Sequence, residues 1–116
     1  MRRVAIPINE DKLSEYFGNC THYKIYDLEG NSIHEKQLEL PDVKSIVELP
    51  EWAWKNGITD IITYKIDSQI IMLFNRYKIN LFVGIPMDTP ENLINEFLKE
   101  RMISSRKIIT EIIDNQ

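Results

Sequence analysis

Residues 4–8 read Val-Ala-Ile-Pro-Ile, and none of the five is charged. Side chains alternate between the two faces of a strand, so this one must be covered on both. It therefore belongs in the middle of a sheet with helices on both faces. Residues 22–28, His-Tyr-Lys-Ile-Tyr-Asp-Leu, alternate in polarity, and Glu29-Gly30-Asn31 is a turn signal. Residues 32–40 read as the returning strand, with His34, Lys36, Leu38 and Leu40 on one face. The first three strands thus form a meander.

Helical signals begin after Pro41. Ser45 followed by Glu48 fits a capping box, whereas Pro50 suits a first helical position. The helix either kinks at Pro50 or starts there, and Asn56-Gly57 ends it. Trp52 and Trp54 are two apart and cannot share a helical face. One is expected on the sheet, the other exposed or at a subunit contact. Residues 59–63 are a short β-branched run, a buried strand. Asp67 is a plausible cap for a helix through Tyr77, with Ile70, Leu73, Phe74 and Tyr77 as its apolar stripe. Residues 80–83 form the last strand. Thr89 and Pro90 open a helix with Leu93, Ile94, Phe97 and Leu98 facing inward.

The order is three meander strands, helix, strand, helix, strand, helix. Strand-helix-strand units imply parallel pairing, with the first strand beside residues 59–63. The connections leaving the first, fourth and fifth strands then emerge at one edge of the sheet. Open α/β sheets bind ligands there. The candidate site comprises residues 9–22, 64–67 and 84–89.

Composition excludes several functions. A chain of 116 residues makes one domain, and 43% hydrophobic residues give it a real core. The net charge of −4, with Lys and Arg spread along the chain, argues against nucleic-acid binding. A single cysteine excludes an internal disulfide and a multi-cysteine metal site within one chain. Neither a signal peptide nor a membrane span is visible, so a cytoplasmic protein is expected.

The stretch Leu13-Ser14-Glu15-Tyr16-Phe17-Gly18-Asn19-Cys20 is unusual for a plain connector. Gly18 permits a positive-φ turn and Phe17 can anchor it to the core, which would leave Cys20 and His22 at a cleft edge. In an extended segment Cys20 and His22 point the same way and could meet one metal centre. Two donors cannot close a tetrahedral site. Cys20 reads equally as a small buried apolar residue.

Val-Ala-Ile-Pro-Ile, Ser14-Glu15-Tyr16-Phe17-Gly18 and the strand ending Ile25-Tyr26-Asp27 together resemble the nitrogenase iron-molybdenum cofactor biosynthesis domain. That family includes NifX- and NifY-type accessory proteins and the C-terminal domain of NifB. The resemblance continues through Leu49-Pro50-Glu51-Trp52, residues 57–62, Leu73-Phe74-Asn75 and Leu81-Phe82-Val83-Gly84. It implies a NifX-like single domain over residues 1–100. The implied α/β fold is ribonuclease H-like: a five-stranded mixed sheet of order 3-2-1-4-5. Residues 101–116 form a C-terminal helical extension.

This chain departs from the family pattern at three places. Tyr16 stands where the family often has His before Phe-Gly. Residues 42–47 contain no His or Gly. Tyr64-Lys65-Ile66-Asp67 stands where the family has Gly-Gly-x-Gly. Those glycines would let backbone amides approach an anionic cluster. Here Tyr64 and Ile66 crowd that approach, Asp67 opposes an anion, and Lys65 restores some positive charge.

The resemblance implies a non-enzymatic accessory or carrier domain. It would bind an iron-sulfur or iron-molybdenum type cluster, or its precursor, through Cys20 and His22, with Tyr16, Gly18 and Lys65 lining the site. A metallocluster assembly or acceptor protein would be its partner. The lost glycines favour a second reading, a degenerate member without cofactor that acts through protein contacts or as a regulator. Nuclease chemistry is not expected, because the first strand lacks the carboxylate that two-metal catalysis needs there. The sequence also lacks a phosphate loop, a nucleophile elbow and a zincin motif.

In the tail, Leu98, Met102, Ser105, Ile109 and Ile112 recur at helical spacing. One helix running to about Asp114 would carry this seam onto a second copy and make a homodimer, unless Ser104-Ser105 breaks it. The alternative is a tail folded back over its own sheet.

Overall fold

The computed structural model describes residues 1–114. Strands are β1 (Arg2–Asn9), β2 (Lys12–Leu13), β3 (His22–Glu29), β4 (Ser32–Glu39), β5 (Asp60–Ile62) and β6 (Asn80–Phe82). Helices are α1 (Leu49–Lys55), α2 (Ser68–Arg76), α3 (Pro90–Leu98) and α4 (Arg106–Asp114). The mixed sheet runs β4-β3-β1-β5-β6, with β2 folded against β1, so it has six strands and not the expected five. β1 pairs antiparallel with β3 and parallel with β5, and β5 pairs parallel with β6.

The extra strand follows a two-residue turn, in which Glu10 (φ 53°) and Asp11 (φ 66°) both adopt left-handed conformations. Tight hairpins need positive φ at both turn positions, and Asn-Gly is their usual signature. Glu-Asp carries no such signature, which hid β2 from sequence reasoning.

β1 is buried on both faces from Val4 to Ile8. Val4, Ile6 and Ile8 join one core with Tyr26, Leu28, Ile62 and, from α3, Leu93, Ile94 and Phe97. Ala5 points the other way, into a core with Tyr23, Ile25, Ile61 and, from α2, Ile70 and Phe74. Helices therefore cover both faces. Trp52 stacks on Tyr23 at 4.7 Å, whereas Trp54 is exposed and stacks on Tyr77 at 5.6 Å.

Both helix starts read from Ser45 and Pro50 exist. Ser45 and Glu48 make the capping box of a 3-10 turn, Ile46–Glu48, and α1 follows with Pro50 in its first turn. Asp67 and Thr89 cap α2 and α3.

The end of α3 departs from expectation. α3 stops at Leu98, which is 43% exposed rather than facing inward, and Glu100 turns the chain at φ 57°. Ser104 Oγ accepts from Val83 N (2.9 Å), and Ser105 N donates to Val83 O (2.7 Å). α4 then lies on the molecule's own core, with Ile108, Ile109 and Ile112 packed against it. The single seam from Leu98 to Ile112 does not form, and the dimer built on it loses its basis. Of the extension expected over residues 101–116, Asn115 and Gln116 lie outside the described residues. None of the described helices is long and apolar enough to cross a membrane.

At the sheet edge opposite the candidate site, Arg3 joins three elements. Its guanidinium donates to both carboxylate oxygens of Asp27 on β3 and to the carbonyl of Asn56 after α1. That pairing holds the Asp27 carboxyl below its usual range. A carboxyl with a depressed folded-state pKa stabilises the fold above its unfolded value and loses that stabilisation as pH falls through the folded value. Wild type should therefore exceed Asp27→Asn in stability at neutral pH, and the gap should close on acidification below about pH 4. Urea titrations across that range test this, and a gap independent of pH would refute it.

Candidate functional site

The segment after β2 crosses the end of the sheet and is pinned by backbone hydrogen bonds. Ser14 N donates to Pro7 O (2.9 Å), Lys65 N to Glu15 O (3.0 Å) and Phe17 N to Lys65 O (2.8 Å). Tyr16 and Lys65 thus form a one-pair parallel bridge beyond β5. Phe17 is 5% exposed and meets Phe74 edge-on at 5.4 Å. This anchor is why an aromatic sits here. Gly18 follows at φ 90°, the left-handed turn expected from the sequence.

Two of the five site residues expected from sequence meet in one cleft at the end of the parallel strands. Tyr16 and Lys65 line a cavity of about 410 Å³ with Phe17, Ile66 and Asp67. Lys65 Nζ lies 5.5 Å from the ring centres of both Tyr16 and Tyr64, a cation held against two aromatic faces. Gly18 lines a neighbouring groove with Ile46 and Leu49.

Cys20 and His22 are not among the residues lining the cleft. Cys20 is 8% exposed and belongs to the core with Phe17 and Tyr23. Burial pushes its thiol pKa up. The Tyr23 hydroxyl is itself buried without a hydrogen-bond partner among the described residues. His22 opens β3, opposite Ile8 and Glu39, and its Nδ1 lies 2.9 Å from Thr21 Oγ1.

Of the third expected segment, residues 84–89, Met87 lines a separate open groove of about 470 Å³ with Asn9, Lys12 and Glu15. Sequence reasoning missed Ile46, Glu111 and Ile112, which also line the cleft of Tyr16 and Lys65. The signal for the last two was Gly84. A Cβ there would lie 2.5 Å from Ser105 Cβ and 3.0 Å from Ile108 Cβ, so glycine is required where the tail lands.

An anionic cluster at this cleft would need either converging donors or free amides. Among the described residues no three His, Cys, Asp or Glu side chains converge. Lys65 N is engaged by Glu15 O, and in the first turn of α2 Gln69 N donates to Asp67 Oδ1 (2.8 Å) and Ile70 N to Asp67 O. Lys65 is the cleft's one lining cation among the described residues, against the carboxylates of Asp67 and Glu111. Among the described residues the cleft therefore offers no set of side-chain donors that would coordinate a metal-sulfur cluster.

A mixed sheet covered by helices on both faces, with a cleft where its parallel strands end, defines an α/β domain of the open-sheet class. The chain belongs to the dinitrogenase iron-molybdenum cofactor family, whose model matches residues 1–100. Solved structures share the fold. PH0822 is 24% identical with a TM-score of 0.78, covering 90% of this chain and 96% of its own. MJ0327 from Methanocaldococcus jannaschii is 20% identical with a TM-score of 0.72, covering 90% and 94%. The apo form of the orange protein from Desulfovibrio gigas is 10% identical with a TM-score of 0.75, covering 91% and 94%. No curated protein matches the chain.

Gly18 sits where a side chain would be doubly penalised. Its φ is strained for any other residue, and a Cβ would lie 3.2 Å from Leu49 Cδ1 and 3.3 Å from Ile46 Cγ2. Gly18→Val should destabilise the fold by about 1 kcal/mol or more. Thermal unfolding measures this, and an unchanged midpoint would refute it.

Proposed function

We propose that this protein is a non-catalytic, cytoplasmic accessory domain of the iron-molybdenum cofactor family that acts through protein contacts and carries no coordinated cluster. The observation that carries this reading is the state of the loop after β5. The family's glycines there would present free amides to an anion. Here Lys65 N and Gln69 N are spent inside the molecule, while Tyr64 and Ile66 turn into the two cores. The family match supports a role beside cofactor-assembly or acceptor proteins. The ribonuclease H-like architecture expected from sequence is part of the same reading: it supplies a rigid sheet whose edge presents the cleft.

The carrier reading places a cluster on Cys20, with His22, Tyr16, Gly18 and Lys65 around it. It requires a thiolate in the core, where burial favours the neutral thiol. Anaerobic reconstitution with iron, molybdate and sulfide separates the two. The expected result is less than stoichiometric metal in wild type, and the same content in Cys20→Ala. Stoichiometric loading that Cys20→Ala abolishes would establish the carrier and overturn this proposal.

A further inference from the structure

The cleft at the end of the parallel strands holds charges of both signs without pairing them. Lys65, Asp67 and Glu111 all line it. Among the described residues the ion pairs are Arg2–Asp60, Arg3–Asp27, Lys36–Asp27, Lys24–Glu35 and Lys55–Glu51. None of the three cleft charges is among them, so an ammonium and two carboxylates face one cavity and do not meet.

The fold sets where these charges stand. Lys65 N donates to Glu15 O (3.0 Å) and Lys65 O accepts from Phe17 N (2.8 Å), which fixes the Lys65 backbone. Its Nζ lies 5.5 Å from the ring centres of Tyr16 and Tyr64. Aromatic faces attract an ammonium but do not occupy its N–H donors as an oxygen would. Asp67 spends Oδ1 on Gln69 N as the cap of α2 and keeps its second oxygen. Glu111 is carried by α4, which packs on the core through Ile108, Ile109 and Ile112. Phe17, Ile66 and Ile112 give the same cavity an apolar lining.

This combination selects a ligand class. One cation against two carboxylates disfavours a plain anion. Among the described residues no three metal donors converge. A plain cation would face the like charge of Lys65. A zwitterion answers both signs, and an apolar portion answers the rest of the lining. At about 410 Å³ the cavity also falls within the range of about 300–1,000 Å³ usual for small-molecule sites.

We propose that the cleft binds a free α-amino acid with an apolar side chain. The ligand's carboxylate accepts from Lys65 Nζ, its ammonium donates to the carboxylates of Asp67 and Glu111, and its side chain lies on Phe17, Ile66 and Ile112. Glu111 and Ile112 lie beyond the residues matched by the family model, so the site draws on this chain's own tail. The inference goes beyond the protein-contact reading and does not rest on it. Metal content tests that reading, and ligand binding tests this one.

Isothermal titration of the full-length chain with L-leucine and L-phenylalanine decides the matter. At least one should bind with a Kd below about 1 mM. The N-acetyl derivative of the tighter ligand lacks the ammonium, its amide lacks the carboxylate, and glycine lacks the apolar side chain. Each should bind wild type at least about tenfold more weakly. Lys65→Gln and Glu111→Gln should each weaken the parent ligand at least about tenfold as well. No binding of either amino acid at about 10 mM would overturn the proposal. So would analogues that bind as tightly as the parent, or unchanged binding in both variants. The analogue series uses wild type alone, so it decides even where a variant does not fold.

Discussion

The parallel pairing of β1 with β5 is the constraint on which the rest depends. Val4 lies opposite Asp60 and Ala5 opposite Ile61, and all four side chains are buried. A strand hydrogen-bonded on both edges and covered on both faces has no place for a charge unless that charge is fully paired. Asp60 meets this condition at the sheet's far end. It accepts from Arg2 Nη2 (2.8 Å), Thr59 Oγ1 (2.6 Å) and Asn80 Nδ2 (3.1 Å). Arg2 in turn lies 4.5 Å from the centre of the Phe97 ring, so the ion pair also holds α3 to the sheet. Arg2 and Arg3 thus tie the strands together at that end, and the cleft of Tyr16 and Lys65 lies at the other.

Most of this architecture was legible from patterning. The uncharged run at residues 4–8 dictated a central strand, and the caps at Ser45, Asp67 and Thr89 marked where elements start. What remained hidden depended on tertiary contact. Lys12–Leu13 is too short to show alternation, and its Glu-Asp turn relies on the surrounding structure to hold two non-glycine residues at positive φ. Leu98 matched the helical period, yet α3 ended before the sheet could cover it. The break at Ser104-Ser105 was visible as a weak point. Its cause was not, because it lies 21 residues away at Val83.

The candidate site was legible in its location more than in its chemistry. Reading the strand ends brought Tyr16 and Lys65 together, and the backbone bridge between them is what builds the cleft floor. Sequence placed Cys20 and His22 side by side as donors. In the fold, the Gly18 turn sends the chain back under Phe17, so Cys20 enters the core while His22 begins a strand paired on both sides. Alternation holds only along an extended segment, and the chain bends at Cys20 and Thr21 before the strand begins at His22.

Replacing glycine in the loop after β5 changes more than the space available. Glycine there would leave amides exposed and the loop free to close around an anion. Tyr64 and Ile66 instead drive one side chain into each core, which fixes the loop and turns its polar groups toward the segment 14–17. Lys65 is left alone at the surface of the cleft, with its ammonium over two tyrosine rings. A loop held this way presents a largely apolar wall to the cleft. Gly84 completes the change from the neighbouring strand. By leaving room for Ser105 and Ile108, it lets α4, which lies beyond the residues matched by the family model, pack against that wall. The same sheet edge thus carries both the loop after β5 and the chain's own last helix.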